Sequence, residues 1–163
     1  MTSIHVNASR EYDVIIERGI LDRAGDELRR VNPNGRIAAI VAGERVAALY
    51  GARLAASLER AGYGAVSFVY PGGEKYKTLE TYAALMDFLS REHFTRGDAV
   101  AALGGGVTGD LAGFAAATYQ RGAAFVQIPT TLLAAVDSSV GGKTAVDLPT
   151  GKIRRAAFTS PAP

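Results

Sequence analysis

The sequence predicts an α/β fold with a doubly wound, mostly parallel sheet, and three observations carry that prediction. Short apolar runs recur along the chain, "RIAAIVA", "AVSFVY", "AVAAL" and "AFVQI", each of strand length. Between them lie segments whose apolar residues fall three and four apart, as in helices laid on a sheet. Strand and helix therefore alternate, which favours parallel pairing through helical crossovers over a succession of hairpins.

The elements follow in order. Residues 3–7 and 11–17 alternate polar and apolar side chains around "NASRE" and read as two short strands. "GILDRAGDELRRV" sets Leu21, Ala24 and Leu28 at helical spacing, and "PNG" at 33–35 is a turn signal. "RIAAIVA" lacks polar alternation, as expected of a strand covered on both faces. "ERVAALYGARLAASLERAG" is a helix that stops at Gly62. After strand "AVSFVY" and loop "PGGEKYK", Thr78 caps a helix with Leu79, Tyr82, Leu85 and Leu89 expected inward. Strand "AVAAL", turn "GGG", an alanine-rich helix from about Val107 to Tyr119 and strand "AFVQI" lead to "PTTLLAAVDSSVGGKTAV".

Composition narrows the function classes. With 48% hydrophobic and 21% charged residues in 163, one soluble globular domain is the default expectation. Cysteine is absent, so neither disulfides nor a thiolate metal site can form. The N-terminus lacks the apolar core of a signal peptide, and no run is long enough to cross a bilayer, so a cytoplasmic protein with no membrane partner is expected. The formal charge of +2 is local, because Arg154 and Arg155 lie in a final stretch without acids and the remaining 16 basic side chains balance 16 acidic ones. No phosphate-tracking surface for nucleic acid is indicated. The two histidines, His5 and His93, stand far apart without ligand spacing, so no metal site is expected within the chain.

In open α/β sheets ligands sit beyond the carboxyl ends of the strands, and three loops there are chemically loaded. In "AVAALGGGVTGDLAG", Gly104, Gly106 and Gly109 satisfy G-x-G-x-x-G between a strand and a helix, with Gly105 inside the turn. Missing β-carbons let the backbone approach a diphosphate, and free N–H groups at the helix start favour its charge. The same glycines would also suit tight helix-on-strand packing. No acid ends the next strand to hold a ribose, so Glu74 or Asp110 would have to make that contact. "PGGEKYK" places Glu74 and Lys77 between a strand and a helix cap, where the plainest expectation is a solvated turn with an exposed ion pair. "IPTTLLAAVDSSVGGKTAVDLPTGK" concentrates Thr130, Thr131, Asp137, Ser138, Ser139, Lys143, Thr144 and Lys152, a set suited to a polyhydroxylated or phosphorylated ligand. A polar surface loop would account for the hydroxyls but not for Leu132, Leu133 and Val136.

Taken together, "PGGEKYK", "GGGVTGDLAGFAAATYQRG" and the third loop resemble the NAD-binding part of the 3-dehydroquinate synthase family, within the sugar-phosphate cyclase superfamily, over about residues 1–152. The resemblance implies a Rossmann-like domain and NAD-dependent conversion of 3-deoxy-D-arabino-heptulosonate 7-phosphate to 3-dehydroquinate and phosphate in the shikimate pathway. It assigns cofactor contacts to Glu74, Lys77, Gly104, Gly105, Gly106, Gly109, Asp110, Thr130 and Thr131, and places Asp137, Lys143 and Lys152 at the cofactor and substrate end. Arg121, in "YQRG", matches an arginine that reaches a neighbouring subunit's substrate, so a homodimer is implied. A divalent zinc or cobalt ion would be held by the family's C-terminal α-helical domain, which is missing here. Gly43 stands where the family often has Asp or Asn, and Asp147 where Asn is common.

The family pattern continues after Lys152 with Asn and then "GAFHQPRA", whereas residues 153–163 read differently. One lost base beside the Lys152 codon would convert the one reading into the other, so this tail is expected to be frameshifted and the isolated chain inactive. Two other functions remain open: a non-catalytic NAD-binding module, and a related sugar-phosphate cyclase or polyol dehydrogenase.

Overall fold

The computed structural model describes residues 1–7 and 11–148, and the backbone of 151–155. β1 (Thr2–Val6) and β2 (Tyr12–Ile16) pair antiparallel with Ile4 opposite Val14. A 3-10 turn, Ile20–Arg23, leads into α1 (Ala24–Val31). There follow β3 (Ile37–Gly43), α2 (Glu44–Val46), α3 (Ala52–Arg60), β4 (Gly64–Tyr70), α4 (Leu79–Arg91), β5 (Ala99–Gly104), α5 (Gly106–Thr118), β6 (Ala124–Pro129), β7 (Thr144–Leu148) and β8 (Gly151–Arg155). The single helix expected before Gly62 is divided by a π-type segment, Ala47–Gly51, between α2 and α3.

The main sheet is four-stranded and parallel in the order β4-β3-β5-β6. β4 lies on one side of β3 while β5 and β6 lie on the other, so the switch point falls between β3 and β5. Alternate residues of these two central strands feed two separate cores. Ala38, Ile40, Ala42, Ala99, Ala101 and Leu103 face Leu28, Leu54 and Leu58 from α1 and α3. Ala39, Val41, Val100 and Ala102 face Leu85 and Leu89 of α4 and Leu111, Ala112 and Ala115 of α5. Each fully buried leucine contributes about 1.5–3 kcal/mol relative to exposure. Double coverage explains why both strands are continuously apolar in sequence.

The bottom of the sheet is tied by Asp98, which is 1% exposed and lies just before β5. Its carboxylate accepts from the backbone N–H groups of Arg36 and Ile37 at 2.9 Å, and from Thr95 N–H and hydroxyl at 2.8 Å. Burial pushes its pKa up, but the donors together outweigh that and hold the carboxyl below its ordinary value.

Thr78 caps α4 as expected, accepting from Thr81 N–H at 3.3 Å. Leu85 and Leu89 are buried and Tyr82 packs at the core margin, but Leu79 is exposed, contrary to expectation. As the first helical residue, it lies outside the face that α4 turns to the sheet.

The β7–β8 hairpin was not legible in advance. These strands pair antiparallel with Val146 opposite Ile153, outside the main sheet. β7 lies on α5, where a β-carbon on Gly113 would come within 2.3 Å of Thr144 Cγ2. Val146, fully buried, completes the core on that side. The hairpin crosses the expected boundary at residue 152, while residues 156–163 lie outside the described residues.

Candidate functional site

An open cleft of about 470 Å³ lies over the carboxyl ends of β3, β4 and β5, at the switch point. Gly43 ends β3, Arg45 and Val46 belong to α2, and Tyr70 with residues 71–73 leave β4; Gly105, Gly106, Val107 and Thr108 form the start of α5, and Thr131 follows β6.

Close packing accounts for Gly104. A β-carbon there would lie 2.5 Å from Thr108 Oγ1, which is already hydrogen-bonded to the Tyr70 hydroxyl at 2.9 Å beneath the cleft. Burial pushes the Tyr70 phenol up, keeping it neutral as a partner for Thr108. Thr130 N–H donates to Gly104 O at 2.9 Å, joining the end of β6 to the same turn. Gly105 faces Thr131, and Gly106 faces Ser138, whose buried Oγ has no partner among the described residues. No side chain caps α5, and Gly109 N–H makes the bond back to Gly105 O. The earlier N–H groups of the first turn therefore lack intrahelical acceptors and form a positive end suited to an anion.

Gly109 sits inside α5, buried against Gln127, and serves helix packing rather than lining the cleft. The next residue, Asp110, forms an ion pair with Lys77. The expectation of an exposed ion pair in this loop is corrected in its exposure: Lys77 is buried, and it pairs with Asp110 of α5. Burial pushes the Asp110 carboxyl up; Lys77 opposes that shift, while Glu74 and Asp147 add to it. Lys77 O also accepts from Asp147 N–H at 2.7 Å, so the loop after β4 is fixed to both α5 and β7. Glu74 opens the 3-10 turn Glu74–Tyr76 in that loop.

Asp137 lies in a π-type segment, Ala134–Ser138, and is exposed, as is Lys143. Thr131 precedes this segment, its hydroxyl accepting from Ala134 N–H at 3.2 Å. Lys152 falls in β8, where only the backbone is described. Arg121 is exposed and sits beyond the far end of α5, about 20 Å of helix from the glycine turn. The fold does not bring Arg121 to this cleft. It stands in a strained connection, with Gln120 at φ 46° and Arg121 at φ 71°.

Sequence reasoning missed Tyr70, Thr108, Arg45 and Val46 as cleft residues. Tyr70 ends an edge strand and Thr108 lies within the glycine motif, so position offered a signal for both; Arg45 carried none. No group of three or more His, Cys, Asp or Glu side chains suited to a metal ion occurs among the described residues. No helix among them is long and apolar enough to cross a membrane.

The family model described as 3-dehydroquinate synthase N-terminal matches residues 67–163. The 3-dehydroquinate synthase of Caulobacter vibrioides is 51% identical over 152 residues, covering 93% of this chain and 41% of that protein. That of Methylococcus capsulatus is 50% identical over 162 residues, covering 99% and 44% respectively. This chain thus spans about two fifths of the length of these curated relatives. Among solved structures, 2-deoxy-scyllo-inosose synthase complexed with carbaglucose-6-phosphate, NAD+ and Co2+ superposes with TM-score 0.88 at 28% identity, covering 98% of this chain and 43% of that one. The 2-epi-5-epi-valiolone synthase from Streptomyces hygroscopicus, with NAD+ and Zn2+ bound, gives 0.78 at 29%, covering 96% and 43%. Glycerol dehydrogenase from Schizosaccharomyces pombe, at 16% identity and TM-score 0.66 over 87% of this chain and 33% of that one, shares the fold. The chain belongs to the 3-dehydroquinate synthase family, matching its N-terminal domain.

Proposed function

We propose that this chain supplies the NAD-binding domain of a 3-dehydroquinate synthase, a carbon–oxygen lyase acting on 3-deoxy-D-arabino-heptulosonate 7-phosphate in the cytoplasm. The uncapped start of α5 over a glycine floor at the switch point is the observation that supports this reading most directly. Such a site fits a dinucleotide diphosphate, and the unpartnered Ser138 Oγ beside Gly106 offers a hydroxyl donor to the same anion.

NAD, when bound, would supply reversible hydride acceptance from a ring hydroxyl, consistent with a reaction that is redox-neutral overall. The chain's own residues bind and orient. Gly104, Gly105 and Gly106 present backbone to the diphosphate, while Thr130 and Thr131 carry hydroxyls at its edge. Lys77, held by Asp110, keeps a cation beside the loop after β4. Asp137, Lys143 and Lys152 take the reacting end, where the lysines offset the substrate's phosphate and carboxylate. The described residues offer no ligand set for zinc or cobalt, so metal chemistry lies outside what they provide. Arg121, at the opposite end of α5, would serve a neighbouring subunit of a homodimer. Residues 1–152 form the domain in this reading, and 153–163 the out-of-register tail.

The test combines calorimetry with a phosphate-release assay on the 163-residue chain. NAD+ binding without phosphate release from the heptulosonate phosphate is the expected result. Absence of binding at millimolar NAD+ would refute the dinucleotide site, and turnover by the chain alone would refute its dependence on further residues.

A further inference from the structure

We propose that Tyr12, on the N-terminal hairpin, is a positioning residue for the reacting end of the cleft, its hydroxyl holding the turn between Asp137 and Lys143. The proposal rests on the reading above, in which those two residues take the reacting end, and adds the part of the chain that orders them.

The stretch from Ala134 to Lys143 has little packing of its own. Ala134 is buried, but Val136, Asp137, Val140 and Lys143 are exposed. Ser139 N–H donates to Ala134 O at 3.0 Å and Val140 N–H to Asp137 O at 2.9 Å, bonds that shape successive turns from within. A segment with few buried contacts and exposed backbone bonds opens at low cost. On the β6 side, Gln127 Nε2 reaches Ser139 O at 3.5 Å, the outer limit for a hydrogen bond.

Tyr12 supplies a firmer hold. Gly141 N–H donates to its hydroxyl at 2.8 Å, across 129 positions of sequence. Gly141 has φ 106°, and a β-carbon there would meet nothing within 4 Å, so this glycine answers to backbone conformation and not to crowding. The bond therefore lands where the chain reverses on its way from Asp137 to Lys143. Tyr12 itself is half-buried in β2, opposite Val6 of β1, in a hairpin that joins no strand of the main sheet. It belongs to neither buried core, so the hydroxyl rather than the ring makes this link. One good hydrogen bond raises the population of an ordered turn several-fold, and the apparent affinity of a ligand that needs the ordered form rises with it.

The experiment compares the 163-residue chain with Y12F, which removes the hydroxyl and keeps the ring. Calorimetric titrations with NAD+ and with ADP, which ends at the diphosphate, run beside amide hydrogen exchange and urea unfolding. Exchange at Gly141 should quicken while the amides of β3 and β5 keep their protection. NAD+ should bind about fivefold more weakly, and ADP should change by less than about twofold. Gly141 exchange that Y12F leaves unmoved would overturn the tether. An unaltered NAD+ affinity, or an equal loss for ADP and NAD+, would overturn the positioning role. Loss of protection throughout the core with a lower urea midpoint would make Tyr12 a structural residue and defeat the inference. If the parent chain does not bind NAD+, the reading beneath falls and this inference falls with it.

Discussion

The floor of the cleft and its β6-side rim are held by different means. In the floor, β3 and β5 are buried on both faces, and Asp98 and the Tyr70–Thr108 bond tie their two ends. In the rim, Leu132, Leu133 and Val136 are 79%, 68% and 67% exposed. Isolated hydrogen bonds position that segment, among them Gly141 N–H to the Tyr12 hydroxyl at 2.8 Å and Gln127 Nε2 to Ser139 O at 3.5 Å. The difference separates two properties that usually travel together. Global stability resides in the floor, so a change in the rim can alter ligand handling while leaving unfolding nearly untouched.

The most direct way to break the floor is Asp98→Ala. It strands several buried donors at once, and a loss of about 3 kcal/mol or more is expected in urea unfolding. Because the folded carboxyl titrates below 3.8, its contribution is fully present above that value and disappears as pH falls through the lower folded-state pKa. Acid unfolding of the parent should therefore be steeper below about pH 4 than that of the variant. An unchanged urea midpoint would show that the clamp at the bottom of the sheet is ornamental.

A smaller effect is expected at the top of the floor. Gly104→Ala drives a methyl group into Thr108, so it should cost about 2 kcal/mol by overpacking. It should also weaken NAD+ binding about tenfold, because α5 must retreat from the turn. Unaltered binding in calorimetry would mean that the helix start does not carry the diphosphate.

Least affected should be the rim. Replacing Leu132 and Leu133 together by serine is expected to change unfolding free energy by less than about 0.5 kcal/mol, since both side chains already face solvent. A loss above about 1 kcal/mol would show that the rim shares the floor's cooperativity and would erase the comparison.

Much of the floor was legible in the sequence because its signals are local. Uninterrupted apolar runs announced β3 and β5, and three adjacent glycines before an alanine-rich helix announced the turn into α5. What escaped depended on distant partners. Lys77 finds Asp110 33 positions away, and Tyr70 finds Thr108 38 positions away, pairings that no periodicity encodes. Leu79 was misplaced because spacing identifies a helical stripe without showing that its first residue precedes contact with the sheet. Arg45 was overlooked since a cation in a surface helix is ordinary until Gly43 and Gly72 are seen facing each other across the same cleft.

The strand laid over α5 bears on how the molecule comes together during synthesis. α5 has the sheet on one side and Thr144 and Val146 on the other, and β7 is bridged to Thr78, far earlier in the chain. A nascent chain that has delivered residues 1–130 thus has the four strands of the main sheet and α1 to α5, yet α5 remains wet along the flank awaiting β7. Docking of residues 144–148 is a late, long-range closure, of the kind that slows folding and leaves an interval for misassembly. Gly113, midway along α5, acquires its neighbour Thr144 only when that stretch of backbone arrives.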